Sequence, residues 1–250
     1  MALRPSNLVF DTRDPLVVGS FWAAALGYDL DPDSDESGAA ISDPSGRTEG
    51  AFFQPVPEPK VVKNRVHLDL RPVTTMGEEV ERMRGLGARE LRYVDEGYGW
   101  TVMADPEGAE FCVLRGGGED HRRDTFGIDS LVIDAGDPIR AADFWIRLLG
   151  FHEHDREEDL IEIVGDGEGD PMLSFAAVPE PKTVKNRIHL DVRPTDSMAT
   201  GVERVKELGG TVRGFIEVEG SYWTQMRDLE GNEFCVLRGP EDGWSGDPST

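Results

Sequence analysis

Apolar and polar residues alternate strictly through Val66-His67-Leu68-Asp69-Leu70-Arg71, and again through Ile188-His189-Leu190-Asp191-Val192-Arg193. A period of two predicts short β-strands with one face packed and the other turned toward a ligand or solvent. The period then lengthens. Met76, Val80, Met83 and Leu86 form one stripe at helical spacing, and Met198, Val202, Val205 and Leu208 form the same stripe. Leu26-Gly27, Leu86-Gly87, Leu149-Gly150 and Leu208-Gly209 close four helical patterns, where a left-handed glycine ends a helix. Asp14-Pro15 and Asp137-Pro138 open the first and third as N-cap carboxylate and φ-fixed first residue. Strands are predicted before the helices at 7–11, 65–71, 130–134 and 187–193. About three more follow each helix, broken by turns such as Asp105-Pro106-Glu107-Gly108 and Asp228-Leu229-Glu230-Gly231.

The pattern repeats at two levels. Val56–Pro72 recurs as Val178–Pro194 with only Val61/Thr183, Val66/Ile188 and Leu70/Val192 different. Both halves also end in Glu-Phe-Cys-Val-Leu-Arg-Gly. The chain is a tandem duplication, and each half holds two strand–helix–strand–strand–strand modules. The fold class expected is α+β, with a first copy at 1–117, a linker at 118–125, a second copy at 126–240 and a tail at 241–250. Each half is expected to be its own folding unit, its strands pairing within it.

Composition narrows the classes. The 250 residues are 38% hydrophobic and 30% charged, as in a globular protein with a real core. No apolar run reaches membrane-spanning length and no signal peptide opens the chain, so a cytoplasmic location is expected. Net charge is −23, spread over both halves, which disfavours nucleic acid and favours cationic compounds on approach. Cys112 and Cys235, at equivalent places, are expected to be reduced thiols. Four of the five lysines, Lys60, Lys63, Lys182 and Lys185, lie in the duplicated loop between modules, where bracing of the crossover is favoured over an anion clamp.

Alternation puts His67, Asp69 and Arg71 on one strand face, and His189, Asp191 and Arg193 on the equivalent one. Cys112 shares a face with Glu110, and Cys235 with Glu233. No Ser-His-Asp order, phosphate loop or zinc-type cysteine spacing is present.

The Pro-Lys-x-x-Lys-Asn-Arg-x-His-Leu-Asp stretch and the Asp-Pro-Glu-Gly-x-Glu-Phe-Cys ending resemble the vicinal oxygen chelate superfamily of glyoxalases, bleomycin-resistance proteins and extradiol dioxygenases. The nearest likeness is to its glyoxalase-like domains, a type frequent in actinobacteria. The resemblance implies that paired modules curl into a half-open cup holding a ligand. It implies cup-lining places for His67, Asp69, Arg71, Trp100, Glu110 and Cys112, and for His189, Asp191, Arg193, Trp223, Glu233 and Cys235. The superfamily's metal-ligand positions correspond to Asn7, His67 and Cys112, and to Ser130, His189 and Cys235. Only the histidine of the usual set is kept, so no metal cofactor is expected.

The expected function is therefore metal-free binding of a small organic molecule, such as a natural-product toxin or antibiotic. The alternative is a divalent-metal lyase or isomerase of glyoxalase type, or a ring-cleaving dioxygenase. A third reading is a regulatory or scaffold protein with one degenerate cup. The partner expected is a small molecule, with neither nucleic acid nor membrane; a homodimer is compatible with the sequence.

Overall fold

The structure is a computed structural model describing residues 3–97, 99–115, 127–167, 169–218 and 220–245. The expected linker, 118–125, and the last five tail residues lie outside the described residues.

Four modules follow one another. The first is β1 (Arg4–Thr12), α1 (Pro15–Leu26), β2 (Asp29–Leu30), β3 (Ala39–Ser42) and β4 (Ala51–Pro55). The second is β5 (Val66–Arg71), α2 (Met76–Gly85), β6 (Arg89–Val94), β7 (Trp100–Ala104) and β8 (Glu110–Leu114). The third is β9 (Gly127–Ala135), α3 (Pro138–Leu149), β10 (His152–Arg156), β11 (Leu160–Val164) and β12 (Met172–Ala177). The fourth is β13 (Ile188–Arg193), α4 (Met198–Glu207), β14 (Thr211–Val218), β15 (Ser221–Arg227) and β16 (Glu233–Val236). The helix signals act as their chemistry requires. Asp14 accepts from the Val17 amide and Asp137 from the Arg140 amide, each at 3.0 Å. The chain leaves α1 and α3 at Gly27 (φ 70°) and Gly150 (φ 74°), in the left-handed region.

Two eight-stranded sheets result, ordered β2-β3-β4-β1-β13-β16-β15-β14 and β6-β7-β8-β5-β9-β12-β11-β10. Modules one and four share the first sheet, and modules two and three share the second. This corrects the expectation that strands pair within each half. β1 runs antiparallel to β13 with Leu8 opposite Leu190, and β5 antiparallel to β9 with Leu68 opposite Leu131. The physical reason is near-degeneracy: β5 and β13 differ at only two of six positions, so either offers the same edge and apolar face to β1 or β9.

The helices pack between the sheets, and their apolar residues merge with both inner sheet faces into one continuous core. Trp22 on α1 meets Phe111 on β8 at 5.2 Å between ring centroids, and Trp145 on α3 meets Phe234 on β16 at 5.1 Å. Each half thus keeps its helix layer, while its strands are split between two sheets. The opposite face of each sheet is the cup.

Candidate functional site

In the second sheet, Val66, Leu68 and Leu70 turn into the core, so His67, Asp69 and Arg71 face the cup. Asp69 has Cys112 opposite it on β8 and Ser130 opposite it on β9. Val102 lies opposite Cys112 and Trp100 opposite Leu114. Thr101, between them, points inward and donates to the Met76 sulfur at 3.6 Å, leaving Trp100 and Val102 on the cup face. The first sheet repeats this with His189, Asp191, Arg193, Cys235 and Trp223, where Thr224 donates to Met198 at 3.6 Å.

The crossed pairing re-sorts the expected ligand-position sets. Ser130 joins His67 and Cys112, while Asn7 lies on the strand paired with β13 and joins the His189 and Cys235 cup. A carboxylate also stands in each cluster. Donor atoms of His67, Asp69 and Cys112 lie within 4.8 Å of one another, as do those of His189, Asp191 and Cys235. His67 Nε2 is 3.5 Å from Asp69 Oδ1. His189 Nε2 is 3.3 Å from Asp191 Oδ1 and 3.5 Å from Cys235 Sγ. Because aspartate and thiol approach the same ring nitrogen, the cluster is no Cys-His-Asp relay, which needs them on opposite nitrogens.

Burial drives the first cluster toward its uncharged forms. It depresses the His67 imidazole to about 3, with Lys63 adding to the effect. It raises Asp69 to about 7, against the Cys112 hydrogen bond and with a push from Asp129. The Cys112 and Cys235 thiols are pushed up, first by burial and then by Asp69 and Asp191 respectively, so neither is an activated nucleophile. Arg71 is held charged by Asp129, which accepts from its Nε at 2.7 Å.

Glu110 and Glu233 are committed elsewhere. Glu110 takes Lys60 Nζ at 2.7 Å and the Asn64 amide at 3.0 Å; Glu233 takes Lys182 Nζ at 2.9 Å and the Asn186 amide at 3.1 Å. Lys63 and Lys185 reach across the halves to Asp134 and Asp11. All four loop lysines brace the crossovers. Glu162 and Asp129, missed in the sequence, stand at the His67 cup. Their signal was that the first copy has Ala40 and Ser6 at the matching positions.

A cavity of about 880 Å³ lies away from both clusters, bordered by the 43–50 loop, Gly169 and Trp244. Its floor residues Leu68, Leu131 and Leu190 are core, and at its rim Arg193 approaches Glu49 at 3.5 Å. The titratable constellations lie on the cup faces, which makes those faces the candidate site.

The glyoxalase-like domain model matches residues 7–114 and again 130–237. The chain belongs to the glyoxalase-like domain family. Its fold is similar to that of glyoxalase I from Zea mays, at a TM-score of 0.66 and 15% identity over 96% of this chain and 94% of that one. It is similar also to a Bacillus subtilis dioxygenase candidate, at a TM-score of 0.69 and 16% identity over 96% of this chain and 86% of that one. At such identities the likeness is one of fold. No curated protein sequence matches it. No helix of this glyoxalase-like protein, among the described residues, is long and apolar enough to cross a membrane.

Proposed function

We propose that this glyoxalase-like protein binds a small organic molecule against a cup face without a resident metal, and that sequestering a natural-product toxin or antibiotic is its biological use. One observation carries this reading. His67 Nδ1 and Asp69 Oδ1 are buried with no hydrogen-bond partner, and so are His189 Nδ1 and Asp191 Oδ1. Buried polar atoms left unpaired cost about 1–3 kcal/mol each, so a bound molecule or ordered water is needed to supply the missing partner, and of the two rows only that of His67 is open enough for a molecule to do so. Trp100 and Val102 add an apolar wall beside that polar row, the mixture that small-molecule sites use.

The spacing of the donors favours a second reading, in which His, Asp and Cys hold a divalent metal. Tetrahedral zinc-type ligands lie about 3.3–3.8 Å apart, given metal–ligand bonds of about 2.0–2.3 Å. The His189 distances match. Bound there, a metal would supply Lewis-acid polarisation of a substrate oxygen, the chemistry of a lyase, isomerase or dioxygenase. The second shell gives it little support: a ligating histidine donates its other nitrogen to a carboxylate, a backbone carbonyl or water, and His67 Nδ1 and His189 Nδ1 have no protein acceptor.

Cobalt(II) titration followed by optical spectroscopy tests the choice. Metal-free binding predicts no thiolate-to-cobalt absorption, and thermal stabilisation by compounds that chelator leaves unchanged. Tight cobalt binding lost in Cys112→Ser and Cys235→Ser, with compound binding abolished by chelator, establishes the metal reading instead.

A further inference from the structure

We infer that the two cups have divided roles: the His67 cup receives the ligand, a molecule bearing a positive charge, while the His189 cup is closed. This rests on the reading of the cups as small-molecule sites. The evidence is a difference between sheets that are otherwise copies.

Along the open row, the side chains of His67, Asp69 and Arg71 are 13%, 18% and 36% exposed. Along the other row, His189, Asp191 and Arg193 are 3%, 7% and 10% exposed. Every step of the row is covered, at two places by substitutions and at its end by a residue of the tail. Beside the cysteine, Val102 of the open cup is replaced by Gln225, whose carbonyl takes Arg213. At the histidine end, Ala176 is replaced by Gln54, which donates to Asp11, itself paired with Lys185. At the arginine end, the Trp244 ring lies over Arg193, 3.9 Å from its central carbon to the ring centroid.

The charges differ in the same direction. Arg71 is paired with Asp129, where the closed cup offers Arg193 the Ser6 hydroxyl and Glu49. On β11, Glu162 stands where the closed cup has Ala40. The open cup therefore sets two carboxylates, Asp129 and Glu162, against Arg71, while Arg92 lies beyond Val102 on the outer strand β6. A cationic group is accommodated on the Glu162 side, with the rest of the molecule against Trp100 and Val102.

Carbethoxylation of the full-length protein by diethyl pyrocarbonate, mapped by peptide mass spectrometry, reports each histidine separately, with exposed His152 as internal reference. His67 is expected to react several-fold faster than His189. Gln225→Val and Gln54→Ala should raise the His189 rate toward that of His67, and Val102→Gln should lower the His67 rate, with circular dichroism confirming the fold. Benzyltrimethylammonium should slow the His67 reaction in the native protein and do so less in Glu162→Gln, whereas 3-phenylpropanoate should not protect. Equal rates for His67 and His189 in the native protein overturn the division of roles. Protection by 3-phenylpropanoate alone overturns the charge class. Unequal rates with protection by neither probe count against the small-molecule reading beneath both.

Discussion

Lys63 Nζ lies 2.6 Å from Asp134 Oδ2, and the two residues belong to opposite halves of the chain. Arg65 repeats the crossing by donating to the Glu180 carbonyl at 2.7 Å, and Arg187 returns it to the Glu58 carbonyl at 2.9 Å. With β1 paired to β13 and β5 to β9, the halves are joined through two central strand pairs.

Fragments 1–118 and 125–250, made separately, should therefore not be folded monomers. Each exposes two unpaired central strand edges, an association hazard. Sedimentation should show self-association of each, and an equimolar mixture should give a 1:1 complex with the circular dichroism of the intact chain. A folded, monomeric fragment would show that β1 closes on β5 once β13 is absent, so that the crossed pairing is not required for either half to fold.

Lys182→Ala should cost stability. Lys182 and Glu233 are both nearly buried at 2.9 Å, and removing the cation strands a carboxylate, which costs about 2–4 kcal/mol. Lys63→Ala should cost less, about 1 kcal/mol, because the Lys63 side chain is 56% exposed and screened by solvent. Urea midpoints of the two variants rank these ion pairs; the reverse order would contradict the bracing role given to Lys182.

Asp69 makes stability depend on pH. Its carboxyl is raised to about 7 by burial, from 3.8. The native state therefore holds a proton that the unfolded chain has released between those values. The contribution is full below pH 4 and is lost as pH rises through 7. His67, lowered to about 3, opposes it below pH 6.5, where the unfolded chain takes up the proton instead. Asp69→Asn removes the first effect only. From pH 4 to 7 its stability should rise relative to the native protein by on the order of 2–4 kcal/mol. A gap between the two urea curves that does not change with pH would mean Asp69 is not buried as a neutral acid.

The two histidines should separate in thermal melts. His189 is buried, whereas His67 is partly open to its cup. His189→Ala should lose about 1–3 kcal/mol, and His67→Ala less than about 1 kcal/mol, since only the former leaves an enclosed void among fixed polar partners. Equal losses would place both rings in the same structural role.

Much of this architecture was legible beforehand. The four modules, the helix starts at Asp14 and Asp137 and the stops at Gly27 and Gly150 follow from local chemistry that acts within a few residues. The polar strand face of His67, Asp69 and Arg71 followed from alternation alone. Sheet assignment did not, because the choice between Val66–Arg71 and Ile188–Arg193 as partner of β1 is a long-range one between almost identical edges. That error put Asn7 in the wrong cup. The sequence places Asp69 and Cys112 in the same cup, but their direct pairing depends on the parallel register of β5 and β8, more than forty residues apart. The roles of Glu110 and Glu233 were obscured for another reason. Their facing strand suggested a ligand, but partners from the crossover loop neutralise them.

Joining the copies in one polypeptide has an evolutionary consequence. Were the same architecture assembled from two identical single-copy chains, one gene would encode both concave faces, and selection could not change Val102 in one without changing it in the other. Covalent tandem linkage removes that constraint. Position 225 can then hold glutamine where position 102 holds valine, and position 54 glutamine where position 176 holds alanine, while β1 and β5 still meet β13 and β9.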